Sequence, residues 1–267
     1  MSLPTGQAGF LLAIDVGNTQ ITIGAFLDKE LTHTWRLHTN PRATSDELGT
    51  ELHALLRYAP LGYNELAGII IASVVPALDA PLTEACSTYL QHDPLLVGPK
   101  IKLGIVNRYK NPQEVGADRL VNAVAVHALL GGPAVVVDFG TATTFDCVSS
   151  RGDYLGGVIA PGLEVAHDAL TARTAKLPRV PFEVPSQVMG KTTKESLQSG
   201  LFWGYIALVE GLLHRLTSEM GGKPLVIVTG GLSRLIGPHL NAKNTVLPDL
   251  TLDGLQLIWE MNHGRTR

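Results

Sequence analysis

The N-terminal part of the chain alternates short apolar runs with turn residues. Gly17-Asn18 separates the first two runs, and Asp28-Lys29-Glu30 separates the second from the third. Runs of this length bounded by such turns are typical of antiparallel strands. The pattern therefore predicts a three-stranded meander at residues 10–14, 20–26 and 31–37.

Helical spacing follows the meander. Thr44-Ser45-Asp46-Glu47 matches a capping box, and leucines at helical spacing come after it. The run at residues 69–75 is continuously apolar, which predicts a buried strand. A helix beginning near Asp79 and a short strand at 95–97 complete an α/β layer.

The C-terminal part repeats this order. Three further strand patterns lie at residues 134–137, 144–148 and 154–159. They are followed by a long apolar helix at 197–216, a buried strand at 225–228 and a terminal helix at 252–262. The proline-rich residues 177–185 predict an extended surface loop.

A similar group of acidic, glycine and hydroxyl residues follows the first predicted strand of the N-terminal and of the C-terminal part. Asp15-Val16-Gly17-Asn18-Thr19 recurs in outline as Asp138-Phe139-Gly140-Thr141-Ala142-Thr143. The repeat predicts two related halves, residues 1–115 and 116–267, each supplying an acidic strand end to a phosphate site. Gly190-Lys191-Thr192-Thr193 is not a P-loop, because Pro185 stands where its first glycine is required.

Composition narrows the class of protein. The 267 residues are 45% hydrophobic, enough for a sizeable core, yet no apolar run approaches the roughly 20 residues that span a bilayer. A net charge of −3 without a basic run argues against nucleic-acid binding, and two cysteines are too few for a disulfide framework. We expect a cytoplasmic protein with a short polar extension at Met1–Ala8.

The Asp15 turn has two interpretations. Gly17 would let backbone N–H groups approach phosphate oxygens, Asn18 and Thr19 would add donors, and Asp15 would hold Mg²⁺ directly or through water. The alternative is an ordinary hairpin turn that uses Asn18 and Gly17 for positive φ. Recurrence at Asp138 favours the phosphate site.

Asp118 and Arg119 stand where a strongly helical stretch begins. The ordinary interpretation is a capping aspartate beside a surface arginine, and local sequence alone favours it. The functional alternative is a carboxylate that accepts a hydroxyl proton, with Arg119 steadying an anionic group.

Other candidate motifs are weaker. Glycines at 156–162 and the segment Thr229-Gly230-Gly231 suggest close backbone approach or a nucleotide seat, but neither forms a dinucleotide fingerprint. His127 is expected to be a core or helix-face residue. No zinc-protease or serine-hydrolase motif is present in the sequence.

These motifs together resemble the type III pantothenate kinase family, within the superfamily of acetate kinase, sugar kinases, heat-shock chaperone ATPases and actin. The matching segments run in order along nearly the whole chain. They are residues 15–19, 109–119, 138–144, 154–162, 173–178, 198–200, 229–231 and 248–255. Departures are small: residues 1–9 are extra, and Leu197 and Trp203 replace the expected methionine and tyrosine.

The resemblance implies an α/β fold of two ribonuclease H-like, actin-like ATPase domains, with mixed sheets flanked by helices and a cleft between them. It also implies a homodimer, with the helix around Phe202, Trp203, Tyr205 and Ile206 as a candidate contact. The implied reaction is ATP-dependent phosphorylation of the 4′-hydroxyl of pantothenate, in the first step of coenzyme A biosynthesis.

Site residues follow from the same resemblance, position by position. ATP phosphates would contact Asp15, Val16, Gly17, Asn18, Thr19, Gln20, Ile21, Thr22 and Thr141, with Mg²⁺ bound near Asp15. Pantothenate would contact Tyr109, Gly116, Ala117, Asp118, Arg119 and Thr193. Asp118 would be the proton acceptor, and Asp138 would hold a monovalent cation, K⁺ or NH₄⁺.

Two alternatives stay open at this stage. One is a superfamily enzyme acting on another hydroxyl or carboxylate, or a phosphatase of polyphosphate type, although Tyr109 and residues 116–119 argue against it. The other is a non-catalytic accessory factor for transcription. Retention of Asp15, Asp118 and Asp138 favours a catalytic protein.

Overall fold

A computed structural model describes residues 9–58, 65–174 and 176–263. The chain divides into two compact units. The first contains the described residues up to Ala125 together with those from Leu250 onward, and the second runs from Val126 to Asp249. The polar extension expected at Met1–Ala8 lies outside the described residues, as does Ala175.

The first unit is built on a five-stranded mixed sheet. Its strands are β1 (Phe10–Val16), β2 (Gln20–Leu27), β3 (Glu30–His38), β4 (Leu66–Ser73) and β5 (Leu95–Leu96). The order across the sheet is β3-β2-β1-β4-β5. The predicted meander is confirmed, because β1, β2 and β3 pair antiparallel, whereas β4 runs parallel to β1.

Helices cover both faces of this sheet. Apolar side chains of α1 (Ser45–Tyr58) and α2 (Pro76–Tyr89) pack on one face with Ile14, Val16 and Ile21. On the opposite face, α3 (Ala117–Leu130) and the terminal helix α7 (Leu250–His263) pack against β1, β2 and β4. We call this second surface the α7 face.

The second unit has the same strand order. Given in the same direction as the first sheet, its order is β8-β7-β6-β9-β10. The bounds are β6 (Ala134–Phe139), β7 (Ala142–Val148), β8 (Tyr154–Pro161), β9 (Leu225–Gly230) and β10 (Asn244–Val246). Three antiparallel strands again precede a parallel one, so the duplication predicted from the sequence extends to topology.

Helices of the second unit are α4 (Leu163–Arg173), α5 (Thr193–Glu219) and the single turn α6 (Ser233–Ile236). The core lies mainly between α5 and one sheet face, where Val135, Val137 and Phe139 meet Phe202 and Val209. The α/β class with two mixed sheets flanked by helices is therefore confirmed.

The sequence signals for the starts of α1 and α2 differ in how well they agree with the structure. The capping box forms as predicted: the backbone N–H of Thr44 donates to Glu47 Oε2 (2.8 Å) and that of Glu47 to Thr44 Oγ1 (3.2 Å). Helix α2 begins at Pro76, earlier than predicted near Asp79, because proline is well tolerated at the first helical position.

The predicted surface loop at residues 177–185 is partly buried. Val180 is only 5% exposed, and its backbone N–H donates to Nε2 of the buried His167 (3.2 Å). Phe182 packs edge-on against the same imidazole. A buried histidine on α4 thus holds this segment against the second unit.

The division of the chain differs from the predicted boundary at 115/116. The structural boundary lies inside α3, between Ala125 and Val126, and α7 belongs to the first unit. The reason is apolar packing: Leu252, Leu255 and Ile258 of α7 complete the α7 face. No helix among the described residues is long and apolar enough to cross a membrane.

Candidate active site

The two repeated aspartates occupy equivalent positions. Asp15 is the next-to-last residue of β1 and lies opposite Thr22 on β2. Asp138 is the next-to-last residue of β6 and lies opposite Thr144 on β7. Each unit therefore presents a carboxylate and a threonine side by side where its central strand ends.

The turn after Asp15 is fixed by backbone bonds. The N–H of Gly17 donates to the Gln20 carbonyl (2.9 Å), and Thr39 donates through its N–H to the Thr19 carbonyl and through Oγ1 to the Gly17 carbonyl (3.0 and 2.7 Å). Asn18, Thr19 and Gln20 are exposed, whereas Val16 and Ile21 are buried.

Neither Gly17 nor Asn18 has a positive φ. The turn does join β1 and β2 as a hairpin, as the alternative holds, but without the positive φ that the alternative assigned to these two residues. The turn is exposed at the end of β1, which an anion-binding site there would require.

Asp118 is the second residue of α3, inside the first turn. Its Oδ1 accepts the N–H of Arg119 (2.8 Å), so the carboxylate satisfies one of the unpaired donors of the helix N-terminus. Burial is the largest effect on this carboxyl and raises its pKa, although the Arg119 N–H and charge act in the opposite direction. Asp118 therefore satisfies a donor at the helix N-terminus, as the ordinary interpretation holds. It is also a stronger base than an exposed aspartate.

Asp118 lies at the same end of the first sheet as Asp15. A Cβ placed on Gly116 would be 2.4 Å from Asp118 Oδ1 and 3.3 Å from Val74 Cγ1. Val74 follows β4, and its N–H donates to the carbonyl of Val16 at the end of β1 (3.0 Å). These contacts place the start of α3 beside the ends of the two central strands.

The other predicted pantothenate residues of the first unit have different environments. Arg119 is only 7% exposed, so it is not the surface arginine of the ordinary interpretation. Tyr109 is half-buried in the segment between β5 and α3, where its backbone N–H donates to Asn107 Oδ1 (3.0 Å). Ala117 begins α3 next to Gly116.

Asp138 lies in a pocket of small and polar groups. Gly230 has φ +85°, and a Cβ there would be 2.3 Å from Asp138 Oδ1, so only glycine fits beside the carboxylate. Thr229, opposite Asp138 on β9, is 1% exposed, and its buried Oγ1 has no hydrogen-bond partner. A carboxylate beside an unsatisfied buried hydroxyl is a donor set suited to a cation that prefers oxygen ligands.

Tyr205 of α5 adds a further hydroxyl in this unit. It shares a short hydrogen bond with Thr143 Oγ1. Burial raises the pKa of Tyr205 to about 12, and the negative charge of Asp138 contributes in the same direction. The sequence indicated Tyr205 only as part of a candidate dimer contact, and it gave no signal for the hydroxyl of Thr229 beyond the possible nucleotide seat at Thr229-Gly230-Gly231.

Thr141 and Thr193 also lie in the second unit. Thr141 is exposed in the turn between β6 and β7, and its carbonyl accepts the N–H of Gly162 at the start of α4 (3.1 Å). Thr193 is the exposed first residue of α5, and the preceding Thr192 caps that helix by accepting the Glu195 N–H (3.2 Å). The Gly190–Thr193 motif is therefore a helix start without a preceding strand, as predicted.

The structure shows where the four residues of the candidate dimer contact on α5 lie. Phe202, Tyr205 and Ile206 are buried in the core of their own unit, and Trp203 packs against Phe202. Phe202, Tyr205 and Ile206 fill the space between α5 and the sheet and are therefore not available to a second subunit, whereas Trp203 is half-buried.

The first unit thus has Asp15 and the start of α3 at the same end of its sheet, while Asp138 and Thr141 lie at the end of β6 in the second. Within the described ranges, no group of three or more His, Cys, Asp or Glu side chains is arranged to hold a metal ion.

Comparison with known proteins gives one consistent result. The family model described as type III pantothenate kinase matches residues 11–215. The type III pantothenate kinase of Moorella thermoacetica is 52% identical over 252 residues, covering 94% of this chain and 99% of the relative. That of Koribacter versatilis is 47% identical over 268 residues, covering 96% and 97%.

A solved structure supports the fold alone. A ROK family glucokinase from Streptomyces griseus, in complex with glucose and AMPPNP, superimposes with a TM-score of 0.51 at 12% identity, covering 93% of this chain and 99% of that one. Because the family model matches more than half of the chain and both relatives match it over nearly their whole length, the chain belongs to the type III pantothenate kinase family.

Proposed function

We propose that this enzyme transfers the γ-phosphoryl group of ATP to the 4′-hydroxyl of pantothenate, giving 4′-phosphopantothenate and ADP in the first step of coenzyme A biosynthesis. The observation that carries the proposal is the partly buried carboxylate of Asp118 at the same sheet end as the Asp15 turn. Named relatives of nearly full coverage support the same substrate.

The proton balance of the reaction assigns a role to Asp118. The hydroxyl oxygen of pantothenate attacks the γ-phosphorus, the bond from that phosphorus to the bridging oxygen breaks, and its electron pair leaves with ADP. The hydroxyl proton passes to Asp118. Because burial raises the pKa of Asp118, the carboxylate is a stronger base than an exposed aspartate.

Phosphoryl transfer otherwise demands positioning and charge neutralisation. The exposed turn at Asn18, Thr19 and Gln20 supplies polar groups for the phosphate chain, with Thr141 as a further contact in the second unit. Asp15 would hold the Mg²⁺ that accompanies ATP, directly or through water, and the ion would supply part of the positive charge that the phosphates need.

Pantothenate is itself an anion, which gives Arg119 a role. Its guanidinium, adjacent to the base, would attract the substrate carboxylate or the transferring group. Tyr109, Gly116, Ala117 and Thr193 complete the proposed contacts of the substrate.

Asp138 would hold K⁺ or NH₄⁺. The support is the fit of the surroundings: a carboxylate, the orphaned hydroxyl of Thr229 and the space left by Gly230. A bound monovalent cation supplies fixed positive charge, and the residues that hold it here lie where β6 and β9 end.

We also propose a cytoplasmic homodimer, since ATP is the donor and the resemblance to the family implies pairing. Exposed apolar side chains of the second unit offer a surface for pairing, among them Ile159 (65% exposed) and Met189 (76% exposed). Size-exclusion chromatography with light scattering tests the pairing, and a monomer at micromolar concentration would contradict it.

A coupled assay of ADP release tests the function itself. Turnover should require pantothenate and increase when K⁺ or NH₄⁺ replaces Na⁺. ADP release that is independent of pantothenate would exclude this substrate, and a complete absence of turnover would favour the accessory-factor alternative.

A further inference from the structure

Arg36 lies in register with Asp15 across the first sheet. Asp15 on β1 is opposite Thr22 on β2, and Thr22 is opposite Arg36 on β3. Directly opposite residues point to the same face of a sheet, so all three side chains lie on the α7 face. Two strand spacings, about 10 Å, separate the backbone of Arg36 from that of Asp15.

The row formed by Asp15, Thr22 and Arg36 lies just beyond the part of the α7 face that helix α7 covers. In the neighbouring row toward α7, Gly24 is in contact with Leu252, whose Cδ1 would be 2.9 Å from a Cβ at Gly24. In the row of Asp15, by contrast, Asp15 and Thr22 are half-buried and Arg36 is exposed. The row is therefore accessible to a ligand.

Arg36 is also uncommitted within the protein. Its side chain forms no hydrogen bond or ion pair with any residue in the ranges 9–58, 65–174 and 176–263. Nearby charged groups at this sheet end include the carboxylates of Asp15 and Asp118. A polyanion binding there needs a compensating cation, and Arg36 supplies one.

The second unit shows that the fold does not require an arginine at this position. Its equivalent row contains Asp138 and Thr144, and Ile159 stands on the edge strand where the first unit has Arg36. The residue on the edge strand beside the aspartate-threonine pair is thus a cation in the first unit and an apolar residue in the second. The difference matches an anion at the first site and a bound cation at the second.

We propose that Arg36 binds the phosphate chain of ATP, as a contact additional to the Asp15 turn. The proposal rests on the proposed function, because it takes ATP as the ligand. A guanidinium suits this role: it is always charged, and its planar donors match phosphate oxygens in pairs.

Nucleotide binding by calorimetry tests the assignment without requiring turnover. We expect Arg36→Gln to weaken ATP binding by about 10- to 100-fold, the range of a charged hydrogen bond, and AMP binding by less than about twofold. ADP should fall between them. Arg57→Gln, another exposed arginine but at the end of α1, is the matched control and should bind all three nucleotides normally.

A second variant guards against a folding defect. Arg36→Lys retains the charge without the paired donors, so its loss of ATP affinity should be smaller than that of Arg36→Gln. In steady state, Arg36→Gln should raise KM for ATP and leave KM for pantothenate unchanged.

Unchanged ATP affinity in Arg36→Gln, or equal weakening of ATP and AMP, would overturn the assignment. Failure of the proposed function is distinguishable: wild-type protein would then bind ATP with the same dependence on Arg36 but would not phosphorylate pantothenate.

Discussion

The carboxyl group of Asp118 occupies the space that a side chain at Gly116 would need. A Cβ at Gly116 would be 2.4 Å from Asp118 Oδ1, well below any normal contact. Gly116 therefore determines where the proposed base lies, and a small substitution there tests whether that position matters.

Gly116→Ala should displace the Asp118 carboxylate and lower kcat by about 10-fold or more, since catalysis is sensitive to misplacement of the base. ATP affinity should change little, because the Asp15 turn is untouched. Gly98→Ala is the control, since a Cβ at Gly98 meets nothing within 4 Å. Equal kcat values for the two variants would show that the carboxylate position is not critical.

Asp118→Asn should lower kcat by roughly 10²–10⁴ and leave ATP binding nearly intact. In the pH profile of kcat/KM for wild type, the apparent pKa of the acidic limb should lie above the ordinary aspartate pKa, because burial raises the pKa of the Asp118 carboxyl. Asp28→Asn, in the exposed β2–β3 turn, should retain wild-type turnover.

The same variant makes a stability prediction of definite sign. A pKa that is raised on folding means that the ionised carboxylate costs stability above the folded-state pKa, and costs nothing below the unfolded-state pKa. Asp118→Asn should therefore unfold at higher urea concentration than wild type at neutral pH, and this difference should shrink as the pH falls. A destabilised variant at neutral pH would contradict the assignment of burial as the main effect.

Asp138→Asn should weaken activation by K⁺ because it removes the charge from the proposed cation site. The measurement is turnover as a function of K⁺ concentration at constant ionic strength, with ATP and pantothenate saturating. Asp153→Asn, in the turn between β7 and β8, serves as the control. A K⁺ response identical to wild type would exclude Asp138 as a ligand.

Thr229→Val should stabilise the protein in the absence of K⁺, by about 1–3 kcal/mol, because it removes a buried hydroxyl that has no hydrogen-bond partner. If that hydroxyl helps to hold the cation, added K⁺ should raise the Tm of wild type more than that of the variant. Thermal unfolding with K⁺ and with Na⁺ measures both effects, and a loss of stability without K⁺ would refute the first.

Much of the fold followed from local sequence signals. The strand runs, the capping box at Thr44 and the repeat of Asp15 at Asp138 depend on short-range patterns, and each agrees with the structure. The repeated aspartate cluster even indicated the equivalence of the two sheets, because its position at a strand end is a local property.

Features that depend on distant parts of the chain were not predictable. Nothing near Leu252 indicates that α7 completes a sheet formed by the first residues, and nothing near Val180 indicates that His167 buries that segment. The cross-strand neighbours Thr22 and Arg36 of Asp15 became visible only with the register, and the orphaned Thr229 hydroxyl only with the packing.

The placement of α7 has a consequence for how the protein is made. The first unit needs Leu252, Leu255 and Ile258 to cover its α7 face, yet these residues are synthesised after the whole of the second unit. Residues 126–249, in contrast, are contiguous and emerge before that helix. The part of the first unit that precedes Val126 therefore cannot complete its core until α7 has been made, and it presents an open apolar surface in the meantime.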